Sequence, residues 1–588
     1  MEFQQPSRRL FILNLIIGML VGILVVRLWQ VQVLQGASYL RQSEENRIRD
    51  YTLTAPRGII YDRKGRPLVR NRPAFTVAVL PLELRNSTPV IQRLASILTI
   101  SPQEITARID RNRPRLFEPV RIKRDAGSHV VAMIEENRLD LPGVIILPEP
   151  VRDYVHGKMA AHVLGYLGEI DPTELAARQV EGYKPGDLIG KAGVERAYET
   201  VLRGTDGRLR MEVDALGRPL RVLSRAPAIP GRAIVLTLDL DVQKAAYDAL
   251  QASGMQAGAA IAMDPRTGDI LAMASIPSYD PNLFAISISP QVWQAITTDR
   301  SKPLLNRAIA ATYEPGSVFK LVTATAALDH GIVSRRTMFD APGYFQLGQW
   351  TFGDLRAWGR IDFLTGFANS VNVVFYTLGY RLGGEELAKY AFLMGLGELT
   401  GVDLPGEING TIPSPSTKEQ LVGEPWFPGD SVNMSIGQGA VTVTPIQVAR
   451  MLGGIATGGP LLQPRVVLMT YDRTRSAHPS EPYVQRSVPY QDSTLALLRE
   501  GMRAVVERGS GYGARVEGLP MAGKTGSAEN PRGKPHAWFA GYAPVADPRI
   551  VVVAFVEHGF RGGISAAPVA RAMLRAVFPR PADVQVPR

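Results

Sequence analysis

The sequence contains no cysteine, and this absence excludes several classes of protein. Without thiols there is no disulfide framework, no thiol nucleophile, no zinc site built on thiolates and no lipoprotein attachment site. Between about residues 44 and 229 there is also no internal repeat, no low-complexity tract and no glycine loop of the phosphate-binding kind. The chemistry of the chain therefore has to come from oxygen and nitrogen side chains.

Length and composition indicate a multidomain protein that folds mostly in water. The chain has 588 residues, of which 45% are hydrophobic and 21% charged, and it is too long for one ordinary core. The net charge of +11 suits nucleic acid, an anionic membrane surface or an anionic wall polymer, and equally a basic but solvated surface. Composition alone leaves these four readings open.

The stretch 10–26 is a predominantly apolar run near the N-terminus that contains no charged residue. It predicts a membrane-spanning helix that is extended by Trp29, with Arg27 reaching back to the interface. The alternative is a cleaved signal peptide, because Gly36-Ala37-Ser38 loosely fits a cleavage site. Arg8 and Arg9 predict a cytoplasmic N-terminus by the positive-inside rule, with everything after about residue 36 outside the cytoplasm.

The pattern of elements after this anchor predicts an α+β fold in two parts. Residues 37–229 mix short strands with helices in an irregular order, and two prolines and a glycine within 226–231 mark a boundary. After it, the chain alternates strands with a long, mainly helical insertion and closes on a helix, which implies an antiparallel sheet flanked by helices. The predicted elements of this part are strands 233–238, 258–263, 269–275, 519–528, 537–543 and 550–557 and helices 241–253 and 566–578.

A serine and a lysine three residues apart form the first candidate for chemistry. Ser317 and Lys320 precede a helical run, so both side chains should lie on one helix face near its N-terminus. A serine hydroxyl needs a base to become nucleophilic, and burial lowers the pKa of a lysine enough for it to serve as that base. The motif alone is weak, since a surface serine and a solvated lysine give the same pattern.

Two further motifs follow. They are Ser370-Val371-Asn372, within a stretch of predicted helical context, and Lys524-Thr525-Gly526 on a predicted strand. The order Ser-x-x-Lys, Ser-x-Asn, Lys-Thr-Gly is typical of penicilloyl serine transferases. The Ser-x-Asn pattern recurs at Ser431, where it leads into a glycine-bearing turn, so Ser370 is favoured and Ser431 is interpreted as structural.

The strand 521–528 has unusually small side chains. Glycine within a strand often marks a close approach by another backbone, so an extended peptide could add to this edge by main-chain hydrogen bonds. Lys524 and Thr525 are placed to hold a terminal carboxylate there.

With these motifs the chain resembles the class B penicillin-binding proteins over nearly its whole length. The resemblance also covers the segments 57–63, 161–166, 193–196 and 202–204. The segment 277–284 is closer to the elongation type than to the division type. The resemblance to this family implies a short cytoplasmic tail and a single transmembrane anchor over 1–36, and a pedestal of the dimerisation type over 37–229. It also implies a transpeptidase domain of the penicilloyl-serine-transferase type over 230–588.

The resemblance also implies a reaction. Ser317 would attack the carbonyl of the penultimate D-Ala of a peptidoglycan stem peptide, D-Ala would leave, and an acceptor amine would resolve the acyl-enzyme. Lys320 would be the base for acylation, Ser370 would relay a proton and Asn372 would hold the substrate amide. β-Lactams would inhibit by acylating the same serine.

Substrate contacts follow from the same resemblance. Thr525, Gly526 and Ser527 would bind the substrate, and Lys524, counted among the catalytic residues, would hold its carboxylate together with Thr525. The backbone N–H groups of Ser317 and Ser527 would form the oxyanion hole. The family usually has threonine in place of Ser527, and a backbone role tolerates either side chain.

Cofactors, metals and partners complete the expectation. Some relatives carry zinc after the Ser-x-x-Lys helix, but 337–362 contains neither cysteine nor histidine, so no metal and no cofactor are predicted. The family implies a partnership with the SEDS glycosyltransferase RodA and other elongation proteins in the cytoplasmic membrane, and no nucleic acid. A pedestal that only lifts the active site from the membrane is the alternative.

Two other functions share the acylation motifs. A carboxypeptidase or serine β-lactamase would deacylate with water, and the long pedestal argues against it. A β-lactam-sensing receptor would need further spans or a cytosolic output domain, for which the segment before Leu10 has no room.

Overall fold

The computed structural model describes residues 8–39, 48–81, 84, 88–111, 118–213, 219–286, 288–474, 476–530 and 533–579. It begins with the helix Arg8–Trp29, which continues through a π-helical turn, Gln30–Leu34. Within the stretch Leu10–Leu34, a window of 18 residues has a mean hydropathy of 2.5, and none of that window is buried. Its length and composition suit a single membrane crossing, as the sequence predicted.

Two compact units interleave along the chain. The first comprises Met1–Pro56, Ala74–Pro150 and Gly204–Pro230, and the second comprises Arg57–Pro73, Val151–Arg203 and Gly231–Arg588. The last of these crossings lies between Pro230 and Gly231, and earlier crossings carry two segments of the N-terminal third, Arg57–Pro73 and Val151–Arg203, into the second unit.

The first unit contains two sets of paired strands. Ile48–Leu53, Gly207–Val213 and Pro219–Ala226 form an antiparallel three-stranded sheet in that order. The end of the strand Pro67–Val79, from Val77 to Val79, pairs antiparallel with Val120–Lys123. A core forms where amphipathic helices bury their apolar stripes, as Thr88–Leu98 does with residues spaced four apart. Its helices are Thr88–Leu98, Pro102–Arg111 and Ser128–Glu136, with a 3-10 turn at Arg138–Asp140.

A five-stranded antiparallel sheet is the centre of the second unit. Its strands, in spatial order, are Ile270–Ile276, Gly258–Met263, Ile550–Val556, Gly533–Ala543 and Ala522–Asn530. Helices Leu240–Ala252 and Ala567–Val577 cover one face, and helix Pro445–Thr457 covers the other. Because both faces are covered, the inner strands are apolar runs rather than alternating ones. This confirms the predicted α+β fold with an antiparallel sheet flanked by helices.

Ala522–Asn530 forms an edge of this sheet, which leaves one side of its backbone available to a further strand. The strand predicted at 233–238 is present as Ile234–Leu236 but lies outside the sheet. It pairs in parallel with Ile60–Tyr61 and antiparallel with Val467–Tyr471.

Among the remaining elements that the structure describes, two helices are long. One long helix, Asn372–Leu393, is kinked at Gly383, and the other is Asp492–Arg508. The other helices, including single 3-10 turns, are Gly157–Ala160, Ala161–Leu164, Pro172–Ala177, Gln179–Glu181, Gly193–Ala197, Glu199–Leu202, Asn282–Ala285, Pro290–Thr298, Gly316–Val318, Lys320–Asp329, Phe363–Ala368, Pro415–Val422, Pro428–Met434, Tyr512–Ala514 and Gly562–Ser565. The other strands are Val144–Tyr154, Leu167–Glu169, Leu188–Gly190, Met338–Ala341, Tyr344–Leu347, Trp350–Gly353, Gly359–Asp362, Pro460–Leu462, Ala477–Pro479 and Val484–Ser487.

A buried ion-pair network joins the two early segments of the second unit. Arg57 bonds both Glu195 and Glu199 at 2.8 Å, and Arg152 bonds Glu195 at 2.7 Å. The side chain of Glu195 is 0% exposed and that of Arg152 1%. Because buried charges are tolerated only when they are paired, this network fixes the two segments to each other.

Candidate active site

The edge strand Ala522–Asn530 meets the short turn Gly316–Val318 backbone to backbone. A Cβ atom added to Gly526 would lie 2.8 Å from Pro315 O, and one added to Gly316 would lie 2.8 Å from Ser527 O. Real Cβ atoms do not approach other atoms so closely, so both glycines are required for this contact. The two predicted motifs, separated by about two hundred residues in sequence, therefore share one site.

The turn that carries Ser317 is held from several sides. Gly316 N donates to Gly437 O at 3.1 Å, and Tyr313 exchanges two backbone hydrogen bonds with Val443. Trp538 Nε1 donates to Glu314 O at 2.9 Å. The serine side chain itself is half-buried, and its hydroxyl group makes no hydrogen bond to any residue that the structure describes. A fixed backbone with a free hydroxyl group suits a nucleophile that bonds its base only when substrate is present.

Lys320 opens the helix Lys320–Asp329 and is fully buried. Its ammonium nitrogen donates to Asn372 Oδ1 at 2.7 Å, to Ser370 O at 2.8 Å and to Ser370 Oγ at 3.2 Å. Burial lowers the pKa of Lys320 to about 7, even though the carboxylate of Asp354 acts to raise it. At neutral pH a large share of this amine is therefore unprotonated.

Ser370 joins both lysines. Lys524 Nζ donates to Ser370 Oγ at 2.8 Å, and Lys320 Nζ lies 3.2 Å from the same oxygen. Lys524 is also fully buried, and its pKa is held well below the ordinary value by burial and by the charge of Lys320. Two amines that close titrate as a pair, so the site holds fewer protons than two isolated lysines would.

The local backbone at Ser370 differs from the predicted helical context. Its φ angle is +60°, a left-handed conformation in the turn between the helices Phe363–Ala368 and Asn372–Leu393. Few residues other than glycine adopt it, and such conformations persist where surrounding contacts hold them. Here the hydrogen bond from Lys320 to the Ser370 carbonyl oxygen is one of those contacts.

The second Ser-x-Asn motif lies apart from this set of contacts. Ser431 is buried in the helix Pro428–Met434 and accepts a hydrogen bond from Trp426 Nε1 at 2.9 Å. A Cβ atom added to Gly379 would lie 2.8 Å from Ser431 O, so the two helices are closely packed there. These contacts are those of a packing residue.

Two residues that the sequence did not single out belong to the site. Ser510 Oγ lies 2.6 Å from Thr525 Oγ1, and Asp354 Oδ2 accepts a hydrogen bond from Val373 N at 3.0 Å. Both sit in loops, with no periodicity or motif spacing that relates them to the serine and lysine motifs. Ser527 is exposed, and its Oγ accepts a hydrogen bond from Gly562 N at 3.3 Å.

Within the described residues no group of three or more His, Cys, Asp or Glu side chains is arranged to hold a metal ion. The chemistry available is that of a serine three residues before a partly neutral lysine, on a turn that contacts an open strand edge. Such a site can transfer an acyl group from an extended peptide to the serine.

Two family models match the chain. The penicillin binding protein transpeptidase domain matches residues 258–575, and the penicillin-binding protein dimerisation domain matches residues 52–236. A curated relative, the peptidoglycan D,D-transpeptidase MrdA of Acinetobacter baumannii, is 34% identical, with 96% of this chain and 86% of that protein covered.

Solved structures resemble the chain as well. Penicillin-binding protein 2 of Helicobacter pylori, in complex with MreC, superposes with a TM-score of 0.76 at 27% identity, covering 90% of this chain and 99% of that one. A chain from a peptidoglycan synthase complex that coordinates polymerization and crosslinking gives 0.72 at 33% identity, covering 99% and 100%.

Proposed function

The chain belongs to the class B penicillin-binding proteins, and we propose that Ser317 is the nucleophile of its peptidoglycan D,D-transpeptidase reaction. The protein is a serine-type transpeptidase that crosslinks peptidoglycan stem peptides in cell elongation. The observation that carries the residue assignment is the meeting of Lys320 and Lys524 at Ser370 Oγ, at 3.2 and 2.8 Å, because it unites all three motifs at one atom.

Acylation begins with attack of Ser317 Oγ on the carbonyl carbon of the penultimate D-Ala. The hydroxyl proton passes to neutral Lys320, and from there, directly or through Ser370, to the nitrogen of the departing D-Ala. In deacylation an acceptor amine attacks the ester, and its proton returns to Ser317 by the same route. A β-lactam follows the first step only, because its leaving nitrogen stays tethered to the acyl group.

The strand edge positions the donor peptide. Extended main chain can pair with Ala522–Asn530, and Lys524 with Thr525 binds its terminal carboxylate. An entering carboxylate raises the pKa of Lys524, so substrate restores the charge that burial removes. Gly526 lets the edge strand approach the turn that carries Ser317. The N–H groups of Ser317 and Ser527 stabilise the oxyanion, an effect worth about 3 kcal/mol per donor in comparable sites. Asn372, held by Lys320, is placed to bind the substrate amide.

We extend the proposal to the rest of the chain. Residues 1–36 would be the anchor, 37–229 the pedestal and 230–588 the transpeptidase domain, with RodA as the partner that supplies glycan strands. The partner assignment is supported by likeness to a chain of a peptidoglycan synthase complex, and likeness to the MreC-bound protein of H. pylori supports contact with other elongation proteins. The protein lies in the cytoplasmic membrane and needs no cofactor or metal.

A crosslinking assay on glycan strands that RodA polymerises during the reaction tests both the transpeptidase activity and the partnership with RodA. The full chain in liposomes with RodA and lipid II is expected to yield crosslinked dimers after muramidase digestion, and penicillin should abolish them. Free D-Ala without dimers would identify a hydrolase, and penicillin binding with neither product would favour a sensor. An equal yield of crosslinked dimers when RodA is replaced by an unrelated glycan polymerase would show that the pedestal acts only as a spacer.

The absence of native cysteine gives a direct test of membrane orientation. Single replacements Gln5→Cys and Ser38→Cys flank the helix Arg8–Trp29. In intact spheroplasts a membrane-impermeant maleimide is expected to label the Ser38→Cys variant, and to label the Gln5→Cys variant only after lysis. The reverse pattern would refute an N-terminus in the cytoplasm, and loss of residues 1–36 from the mature protein would mean a cleaved signal.

A further inference from the structure

The helix that begins at Asn372 has no cap of its own. Its N-cap residue is Val371, whose apolar side chain makes no capping hydrogen bond. The first N–H groups of any helix lack internal partners, and a carboxylate placed there is stabilising. Asp354 Oδ2, from a loop distant in sequence, accepts the hydrogen bond of Val373 N at 3.0 Å. The loop therefore supplies the cap that the helix sequence lacks.

Asp354 is itself held in place. Its own N–H donates to Gly343 O at 2.9 Å, and its Oδ1 accepts from Leu355 N at 2.7 Å. The preceding residue is fixed to the same helix, because Tyr376 OH donates to Gly353 O at 3.2 Å. The half-buried carboxylate is thus anchored on both sides of its Cα atom.

The groups that face Lys320 come from four elements. Lys524 lies on the edge strand, Ser370 in the interhelical turn, Asn372 and Phe375 on the capped helix, and Asp354 in the loop. Of these, Asp354 supplies the negative charge, and it opposes the effect of burial on the pKa of Lys320. The phenol of Tyr376 also lies within the electrostatic influence of Asp354 and of the exposed Glu529. Burial and these two carboxylates raise the pKa of Tyr376, so the phenol stays neutral.

Given the catalytic roles proposed above, we propose that Asp354 is a positioning residue for acylation. One carboxylate oxygen fixes the first turn of the helix that presents Asn372 to Lys320, and the negative charge balances the buried lysine pair. The mechanical role needs only an acceptor oxygen, whereas the electrostatic role needs the charge. Replacement by asparagine separates the two.

The pH dependence of acylation by a fluorescent penicillin measures the charge effect. In the wild type the rate is expected to fall as Lys320 gains its proton, to about a tenth of its plateau at pH 6 for a pKa of about 7. Asp354→Asn removes a negative charge, which lowers the lysine pKa, so the acidic limb should move to lower pH by about half a unit or more. Asp354→Ala should show the same displacement with a lower plateau, because the cap is also lost.

Two variants serve as controls. Asp354→Glu restores the charge and should return the limb towards that of the wild type. Asp362→Asn removes the carboxylate that caps the neighbouring helix Phe363–Ala368, through Thr365 N at 2.7 Å, and should leave the limb unchanged. The inference would be overturned if the acidic limb of the pH–rate profile were the same in Asp354→Asn and wild type. It would also be overturned if Asp354→Asn and Asp362→Asn shifted that limb equally. Absence of acylation in the wild type at every pH would instead refute the proposed function.

Discussion

Replacement of Ser317 by alanine is expected to leave the protein folded and to abolish its covalent capture of penicillin. The alanine variant has no oxygen to form the ester, so the acylation rate should fall by more than about 10⁴-fold. Stability should change little, because the Ser317 hydroxyl group is half-buried and no hydrogen bond of it to a described residue is lost. Intact mass spectrometry of the full chain after incubation with penicillin measures the adduct directly.

The second Ser-x-Asn motif offers a matched control. Ser431→Ala removes a buried serine that bonds Trp426 and lies apart from Lys320 and Lys524, so the penicilloyl adduct should form at the wild-type rate. A stable adduct on the Ser317→Ala variant, or its loss in the Ser431→Ala variant with the fold intact, would contradict the assignment of the nucleophile.

Replacement of Glu195 by alanine is expected to cause the largest loss of stability. This carboxylate is fully buried and bonds both Arg57 and Arg152, so its removal leaves two buried guanidinium groups without that partner. Breaking a buried ion pair on one side costs about 3–5 kcal/mol. Thermal and urea-induced unfolding of the full chain in detergent, followed by loss of penicillin binding, gives the shift.

An exposed pair of the same type provides the comparison. Glu500 bonds Arg335 at 2.6 Å, but the two side chains are 43% and 64% exposed. Exposed pairs contribute about 1 kcal/mol or less, so Glu500→Ala should shift the unfolding midpoint only slightly. Equal shifts in the two variants would show that the buried network does not fix the early segments of the second unit.

The features predicted from sequence are those with a local signature. Spacing of three places Ser317 and Lys320 on adjacent turns, and uniform apolar runs identify the inner strands, because burial on both faces leaves no alternation. The small side chains of 521–528 predicted a close backbone approach, and Gly526 makes one with Pro315. The order of the three motifs, by resemblance to a known family, predicted that Ser317, Ser370 and Lys524 share one site. Hydrophobic periodicity gives no information about such long-range contacts.

Features that depend on tertiary closure had no such signature. Asp354 caps a helix by binding the N–H group of Val373, nineteen residues later in the sequence, and it occupies a loop, where aspartate is an ordinary residue type. The positive φ of Ser370 was missed because the apolar residues around it favour helix, and its conformation is fixed by contacts from elsewhere. The ion pairs of Arg57 could not be predicted either, because hydrophobic periodicity does not reveal which charged side chains are buried.

The interleaving of the two units constrains how genes for such proteins can recombine. An exchange between relatives at the codon for residue 230 would pair a foreign sheet and helices with native segments 57–73 and 151–203, which pack inside the same unit. Tyr198, for example, donates to Asp403 at 2.9 Å across that join. Hybrids that retain stability must therefore match these early segments to the incoming half, so the catalytic unit is inherited as a discontinuous block rather than as a portable cassette.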